Sequence, residues 1–177
     1  MEDYLKLVKA ARRGDAQAFA ALYEEVYEDM YRFALYTLKN TQDAEDVVSE
    51  AVTAAFASIK KLRSAQAFHS WIFQILSNKC KEQLREYARK TVSLEERREN
   101  GSEEVVGLLS QASSGDLEDH ILVRKLFFEL EDDERLIIAM HVFRGYKSRE
   151  IAEMLQMNEN TVRSKESRGL KKMAGKL

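Results

Sequence analysis

"GYKSREIAEMLQMNENTVRSKESRGLKKM", residues 145–173, holds two short helical patterns with a brief polar break between them, and cations collect in the second. In the first, Ile151, Ala152 and Leu155 recur on one face, the spacing of an amphipathic helix. In the break, "QMNEN", Met157 is expected to tuck inward and Asn158 to cap the next helix. Val162 is then the inward anchor, while Arg163, Ser164, Lys165, Ser167, Arg168, Lys171 and Lys172 supply a polar, cationic outer face. That is the layout of a helix-turn-helix, whose second helix projects into the DNA major groove. Arg can pair with guanine through two hydrogen bonds, and Lys mostly holds phosphates. A solvated helical hairpin would show the same periodicity, so the rest of the chain has to decide.

No proline occurs in the 177 residues, and with only seven glycines there are few helix breakers. The expectation is an all-α protein, and the hydrophobic share of 45% suffices for real cores. The single cysteine, Cys80, can form no internal disulfide and has no second thiol with which to share a metal. His69, His120 and His141 are scattered without ligand spacing, so neither metal nor cofactor is expected. No apolar run approaches the roughly 20 residues needed to span a bilayer, and the amino terminus lacks a signal-peptide core. A reducing cytoplasm is the expected location.

The formal net charge of −2 conceals strong segregation. Residues 60–90 carry eight Lys/Arg against two Glu, and residues 160–177 carry six against one. Residues 41–50, "TQDAEDVVSE", have four acids and no base, and residues 91–118 have seven acids against two Arg. Two basic and two acidic surfaces imply both a polyanionic and a basic partner.

Helical spacing divides the chain into two blocks. Asp15 is placed to cap a helix whose apolar stripe runs Phe19, Leu22, Val26, Met30 and Phe33. A second helix begins after Asn40-Thr41, with Val47, Val48, Ala51, Ala55, Phe56 and Ile59 inward. "LRSAQAF" (62–68) reads as a loop with Ser64 as a cap, followed by a long helix whose inward side includes Phe68, Trp71, Ile72, Leu76, Cys80 and Leu84. Residues 1–90 form the first domain. Residues 91–115, rich in Glu, Ser and Gly, form a flexible acidic linker, in which "SLEERRE" or "EEVVGLL" could make a weak helix. Residues 116–177 form a four-helix unit in which Ser148 caps "REIAEML".

Taken together, these segments resemble the extracytoplasmic-function sigma factors of the sigma-70 family, the small two-domain specificity subunits of bacterial RNA polymerase. The resemblance rests on "GDAQAFAALYEEVYEDMYRFA" with "DAEDVVSEAVTAAF", on "FHSWIFQILSNKCKEQLRE", and on "LEDDERLIIAMHVFRGYKSREIAEMLQMNENTVRSKESRGLKKM", in the family's order. It implies that residues 1–90 dock on core polymerase and read the −10 promoter element, and that residues 116–177 read the −35 element. Asp43, Glu45, Asp46 and Glu50 match the acidic segment that docks on the polymerase's largest subunit. The alternative for Asp43 and Glu45 is a helix amino-terminus whose acids complement its dipole.

The loop and the helix after it match the part that captures the displaced −10 strand, with Lys61, Leu62, Arg63, Ser64, Asn78, Lys79 and Arg85 as DNA contacts, and with Lys60 and Arg89 near the phosphates. Flipping a base costs a few kcal/mol, which a pocket and phosphate contacts must offset. Trp71, on the apolar stripe, is assigned to the core rather than to stacking on DNA. The −35 contacts implied are Asn160, Thr161, Arg163, Ser164, Lys165, Ser167, Arg168, Lys171 and Lys172.

The chain departs from the family pattern in three places. "RSAQA" lacks the glycine common in the −10 loop. Glu166 stands where an apolar residue is usual, and Leu170 where a basic one is common. Either the inward stripe shifts to Val162, Gly169, Leu170 and Met173, or Glu166 accepts from cytosine or pairs with Arg163. The resemblance further implies core RNA polymerase, promoter DNA and an anti-sigma factor as partners, and no catalysis by this chain. Two other classes fit parts of the chain: a helix-turn-helix repressor or activator, which leaves the first block without a task, and an all-helical polymerase-binding inhibitor, which needs no cationic reader helix.

Overall fold

The carboxylate of Asp15 accepts from the N–H groups of Gln17 and Ala18 at 3.0 and 3.1 Å, so the expected first cap is in place. A computed structural model of the protein describes residues 2–90 and 117–176, and every regular element among them is helical. An additional helix, α1 (Glu2–Arg12), precedes that cap, packed against α2 (Ala16–Leu38) through Val8 and Ala11, both fully buried. Lys39 takes a left-handed conformation (φ 57°) that ends α2, and Asn40 then caps α3 (Thr41–Ser58) by accepting from the Asp43 N–H at 2.9 Å. Two short 3₁₀ turns, Ile59–Lys61 and Ala65–Ala67, lead into α4 (Phe68–Arg89). Leu22, Met30, Phe33, Phe68, Ile72, Phe73 and Leu76 fill the space between α2, α3 and α4. Each such side chain contributes about 1.5–3 kcal/mol by leaving water.

The second block comprises α5 (Leu117–Phe128), α6 (Asp132–Arg144), α7 (Ser148–Leu155) and α8 (Glu159–Ala174). Gly145, at φ 67°, supplies the left-handed turn that ends α6. Asn158 caps α8 as expected, accepting from the Asn160 N–H at 2.8 Å. Leu136, Ile137, Ile151, Leu155 and Val162 form its core.

Four local expectations need correction. Phe56 is 46% exposed, meeting Phe19 edge-on at the rim of the core rather than inside it. Ser64 caps nothing with its side chain, which donates to Gln66 instead. Ser148 is the first residue of α7 rather than its cap; the chain enters that helix at Lys147. Leu170 is 46% exposed, so the inward stripe of α8 does not shift to include it. The linker, with both of its weak-helix candidates, lies outside the described residues.

The two blocks pack directly, and cations on exposed helix carbonyls do much of the joining. The last carbonyls of an α-helix have no internal partner and carry partial negative charge. Arg135, 1% exposed, donates from Nε to the Thr37 carbonyl at the end of α2 (2.8 Å), from Nη1 to the Leu130 carbonyl (2.8 Å), and pairs with Asp132 at 2.6 Å. Lys39 donates to the Phe128 carbonyl at the end of α5 (3.0 Å), and Lys81 to the Leu155 carbonyl at the end of α7. Tyr36 lies among Phe127, Phe128 and Phe143, and Arg144 stacks 3.8 Å over the Phe73 ring while pairing with Asp29 at 3.1 Å.

Candidate nucleic-acid interface

The outer face of α8 forms a shallow cationic groove lined by Arg163, Ser164, Ser167, Arg168 and Lys171. These positions recur at helical spacing on the side opposite Val162 and Gly169, which are buried. Asn160 and Thr161, exposed in the first turn, sit at its leading end. Arg163 forms an ion pair with Glu159, one turn earlier, at 2.6 Å. The pairing of Arg163 with Glu166 weighed from the sequence is therefore absent.

Two of the sequence-chosen cations point elsewhere. Lys165 pairs with Asp133 on α6 at 2.9 Å, and Lys172 pairs with Glu134 and Glu131 at 2.9 and 3.3 Å. Hydrogen bonding to Glu134 is the largest cause raising the pKa of Lys172, which keeps that ammonium charged. Glu166 turns toward α6 and α7, where Ser148 donates to it and the His141 ring lies beside it. Periodicity along the sequence does not reveal His141 and Ser148 as Glu166 partners, because the contact joins three helices that it treats separately.

The sequence-chosen −10 residues divide between two flanks of α4. Lys61, Arg63 and Ser64 are exposed on the loop, beside Trp71 and Gln74; Leu62 is buried and anchors the loop from within. Trp71 is half-buried, tilted against Phe68 at 6.0 Å with one side open to that groove. Asn78 and Arg85 follow Trp71 at seven-residue steps, which keeps all three on one side of the helix. Lys81 shares that side, and the sequence reading passed over it. Lys79 falls on the other flank, 3.2 Å from both Glu50 and Glu82. Glu50 hydrogen bonding is the largest cause of its raised pKa.

The acids of α3 are likewise not alike. Asp43 accepts from Tyr87 and from Gln83 (3.3 Å), so it knits α3 to α4. Glu45 and Asp46 are exposed, and Glu50 is exposed but tied to Lys79. Cys80 is fully buried, its thiol pushed up by burial, so it stays protonated and unreactive. Among the described residues no cluster of three His, Cys, Asp or Glu could hold a metal ion, and no helix is long and apolar enough to cross a membrane.

Comparison with known proteins places these features. The family model for sigma-70 region 2 matches residues 22–90, and that for sigma-70 region 4 matches residues 121–173. The chain is similar to the RNA polymerase sigma factor SigV of Bacillus subtilis (strain 168), 31% identical over 146 residues covering 82% of each chain. It is also similar to the ECF RNA polymerase sigma factor SigM of Mycobacterium tuberculosis, 26% identical over 170 residues, covering 96% of this chain and 82% of the other. SigW of Bacillus subtilis is 25% identical over 170 residues, covering 93% and 91%. In fold, the chain resembles CnrH, solved with the cytosolic domain of CnrY (TM-score 0.63, 19% identity, covering 97% and 94%). It also resembles the sigma factor RpoE of Bartonella quintana, solved with the anti-sigma factor NepR (TM-score 0.64, 21% identity, covering 89% and 95%).

Proposed function

The chain belongs to the sigma-70 family of RNA polymerase sigma factors, in its extracytoplasmic-function group, and on that premise we propose how its two blocks divide promoter selection. It is an alternative sigma factor that directs core RNA polymerase to promoter DNA. The observation that carries the division of labour is the outward groove of Arg163, Ser164, Ser167, Arg168 and Lys171 on a capped helix, in the same chain as the region 2 block.

In this reading α8 enters the major groove at the −35 element, with Arg163 and Arg168 toward base edges and Lys171 toward phosphate. Lys61, Arg63 and Ser64 of the loop, with Asn78 and Arg85, capture the displaced −10 strand. The Asn78 amide offers both a donor and an acceptor to a flipped base. Glu45, Asp46 and Glu50 meet a basic surface of the polymerase. The protein works in the cytoplasm, carries out no chemistry of its own, and is held in check by an anti-sigma protein.

Run-off transcription with purified core polymerase on a fragmented host genome tests the reading. Defined start sites that share two short upstream elements are expected only when the protein is added. Core binding with no start sites would favour a polymerase-binding inhibitor. Operator binding without core binding would favour an ordinary helix-turn-helix regulator.

Two substitutions probe the assignments. Arg163→Ala should cost about 1–3 kcal/mol at one −35 position, read from competition between promoters altered base by base. Equal losses on every promoter would remove the base-reading role. Asn78→Ala should slow promoter opening, followed by permanganate reactivity of unpaired thymines, while core affinity is unchanged. Weakened core binding would show that Asn78 belongs to the docking face instead.

A further inference from the structure

We propose that Glu166 and Lys172 are positioning residues of the −35 reader, which set the rotation of α8 and do not themselves touch DNA. This rests on α8 being that reader.

The inward line of α8 runs Val162, Glu166, Gly169 and Met173. A carboxylate thus occupies the middle of a packing stripe, with its side chain only 16% exposed. A polar group so covered requires partners. Ser148 Oγ donates to Oε2 at 3.4 Å, and His141 Nδ1 lies 3.5 Å from Oε1. Ser148 opens α7, where unpaired N–H groups and the helix dipole favour a negative charge. One side chain therefore ties α8 to both α6 and α7. Held there, it is turned away from the outward groove and from any cytosine.

Lys172 ties the far end of α8 to α6. Its ammonium sits 2.9 and 3.1 Å from the two carboxylate oxygens of Glu134, whose side chain is fully buried, and 3.3 Å from Glu131. Among the described residues, Glu134 otherwise accepts only from the Glu131 N–H, at 3.3 Å. Moving Lys172 to a phosphate would strand a buried carboxylate without its cation, and that uncompensated charge is the expensive half of a broken buried pair.

Between these two ties, α8 lies unusually close to α6. A Cβ on Gly169 would stand 2.7 Å from Ile138 Cδ1 and 3.4 Å from Glu134 Cβ. Close packing at the midpoint with polar ties at either end leaves little freedom to roll. Side chains project about 5–6 Å from a helix axis, so a roll of roughly 20° moves contact atoms by about 2 Å, beyond hydrogen-bond tolerance. The ties thus determine which bases Arg163 and Arg168 can meet.

Holoenzyme reconstituted from core polymerase and the full chain is bound to promoters altered singly along the −35 element, at several salt concentrations. With Lys172→Gln, discrimination should fall about tenfold at several positions together while the slope of log K against log salt stays at the wild-type value. Lys172→Arg should restore discrimination. A loss of about one phosphate's worth of slope, near 0.9, would make Lys172 a DNA contact and overturn the proposal. With Glu166→Ala the same multi-position loss is expected, and Glu166→Gln should keep most of the discrimination. A Glu166→Ala defect confined to one base pair would mean direct readout and would also overturn it. Thermal unfolding and core affinity are followed in parallel, and if Lys172→Gln fails to fold, Glu166→Ala decides by whether its loss spreads over several positions or falls on one. If the wild-type holoenzyme shows no −35 preference, the reader assignment itself fails, a result distinct from the others.

Discussion

Arg144→Ala is expected to raise the population of separated blocks by roughly 5–150-fold, the range of a coupling energy of about 1–3 kcal/mol. The lost contacts are a guanidinium 3.8 Å over Phe73, an ion pair with Asp29 at 3.1 Å and a hydrogen bond with the His69 ring. A desolvated cation–π contact is worth about 2 kcal/mol, and a half-exposed pair adds under about 1. Small-angle scattering should record a larger radius of gyration with helix content unchanged. An unaltered radius would show that Arg135, Lys39 and Lys81 hold the seam without Arg144.

Separation matters because, on the proposed division of labour, the packed form is too short to reach both promoter elements. A compact chain of 177 residues has a radius of gyration of about 16 Å and a diameter near 40 Å. Elements centred at −10 and −35 lie about 85 Å apart at 3.4 Å per base pair. In the packed form, moreover, Glu150, Glu153 and Met154 of α7 face the loop and Trp71 across one groove, and Lys81 is spent on the Leu155 carbonyl. The loop proposed to capture the −10 strand thus shares an open groove with the block proposed to read −35. A chain as long as residues 91–116 reaches at most about 90 Å, enough for both sites once the seam opens.

Acidity should also loosen this seam. Burial first, and then the Arg144 guanidinium, hold His69 below its ordinary 6.5, and Asp29 only partly counters them. The packed form therefore favours neutral His69, whereas the separated form binds the proton more readily. The contribution of neutral His69 to packing is fully present above about pH 6.5 and is lost as pH falls through its lowered pKa, so the radius of gyration should rise on acidification. In His69→Gln that rise should be absent.

Reversing Glu45 and Asp46 together to Lys should weaken binding to core polymerase by about 2–5 kcal/mol, the usual cost of breaking close charge pairs across an interface. Both acids are exposed, whereas Asp43 is occupied by Tyr87 and Gln83. Asp43→Asn should therefore act mainly on thermal stability and only weakly on core affinity. Titration of labelled protein with core polymerase separates the two effects. Core affinity unchanged by the double reversal would move the docking surface elsewhere. Glu50→Gln has a second consequence, since it leaves Lys79, which the sequence had assigned to DNA, paired with Glu82.

The all-helical class, the caps at Asp15 and Asn158, and the turn and cationic-helix pattern around Val162 are all legible in the sequence. All of these are local: a 3.6-residue period and a side chain reaching an N–H two or three positions on are written within a few residues. It missed α1, where Val8 and Ala11 are buried by the helices that follow. It also misjudged Phe56 and left open whether Leu170 turns inward, because being apolar at helical spacing does not reveal how wide the covered stripe is. The cations were the hardest to assign. Lys165 and Lys172 read as DNA contacts like Lys171, yet only Lys171 faces the open groove, because acids on α6 lie within reach of the other two. Likewise Lys39, Lys81 and Arg135 find helix-end carbonyls 89, 74 and 98 positions away. Which charge a cation meets is set by the long-range packing that brings its partner near, and no local period encodes it.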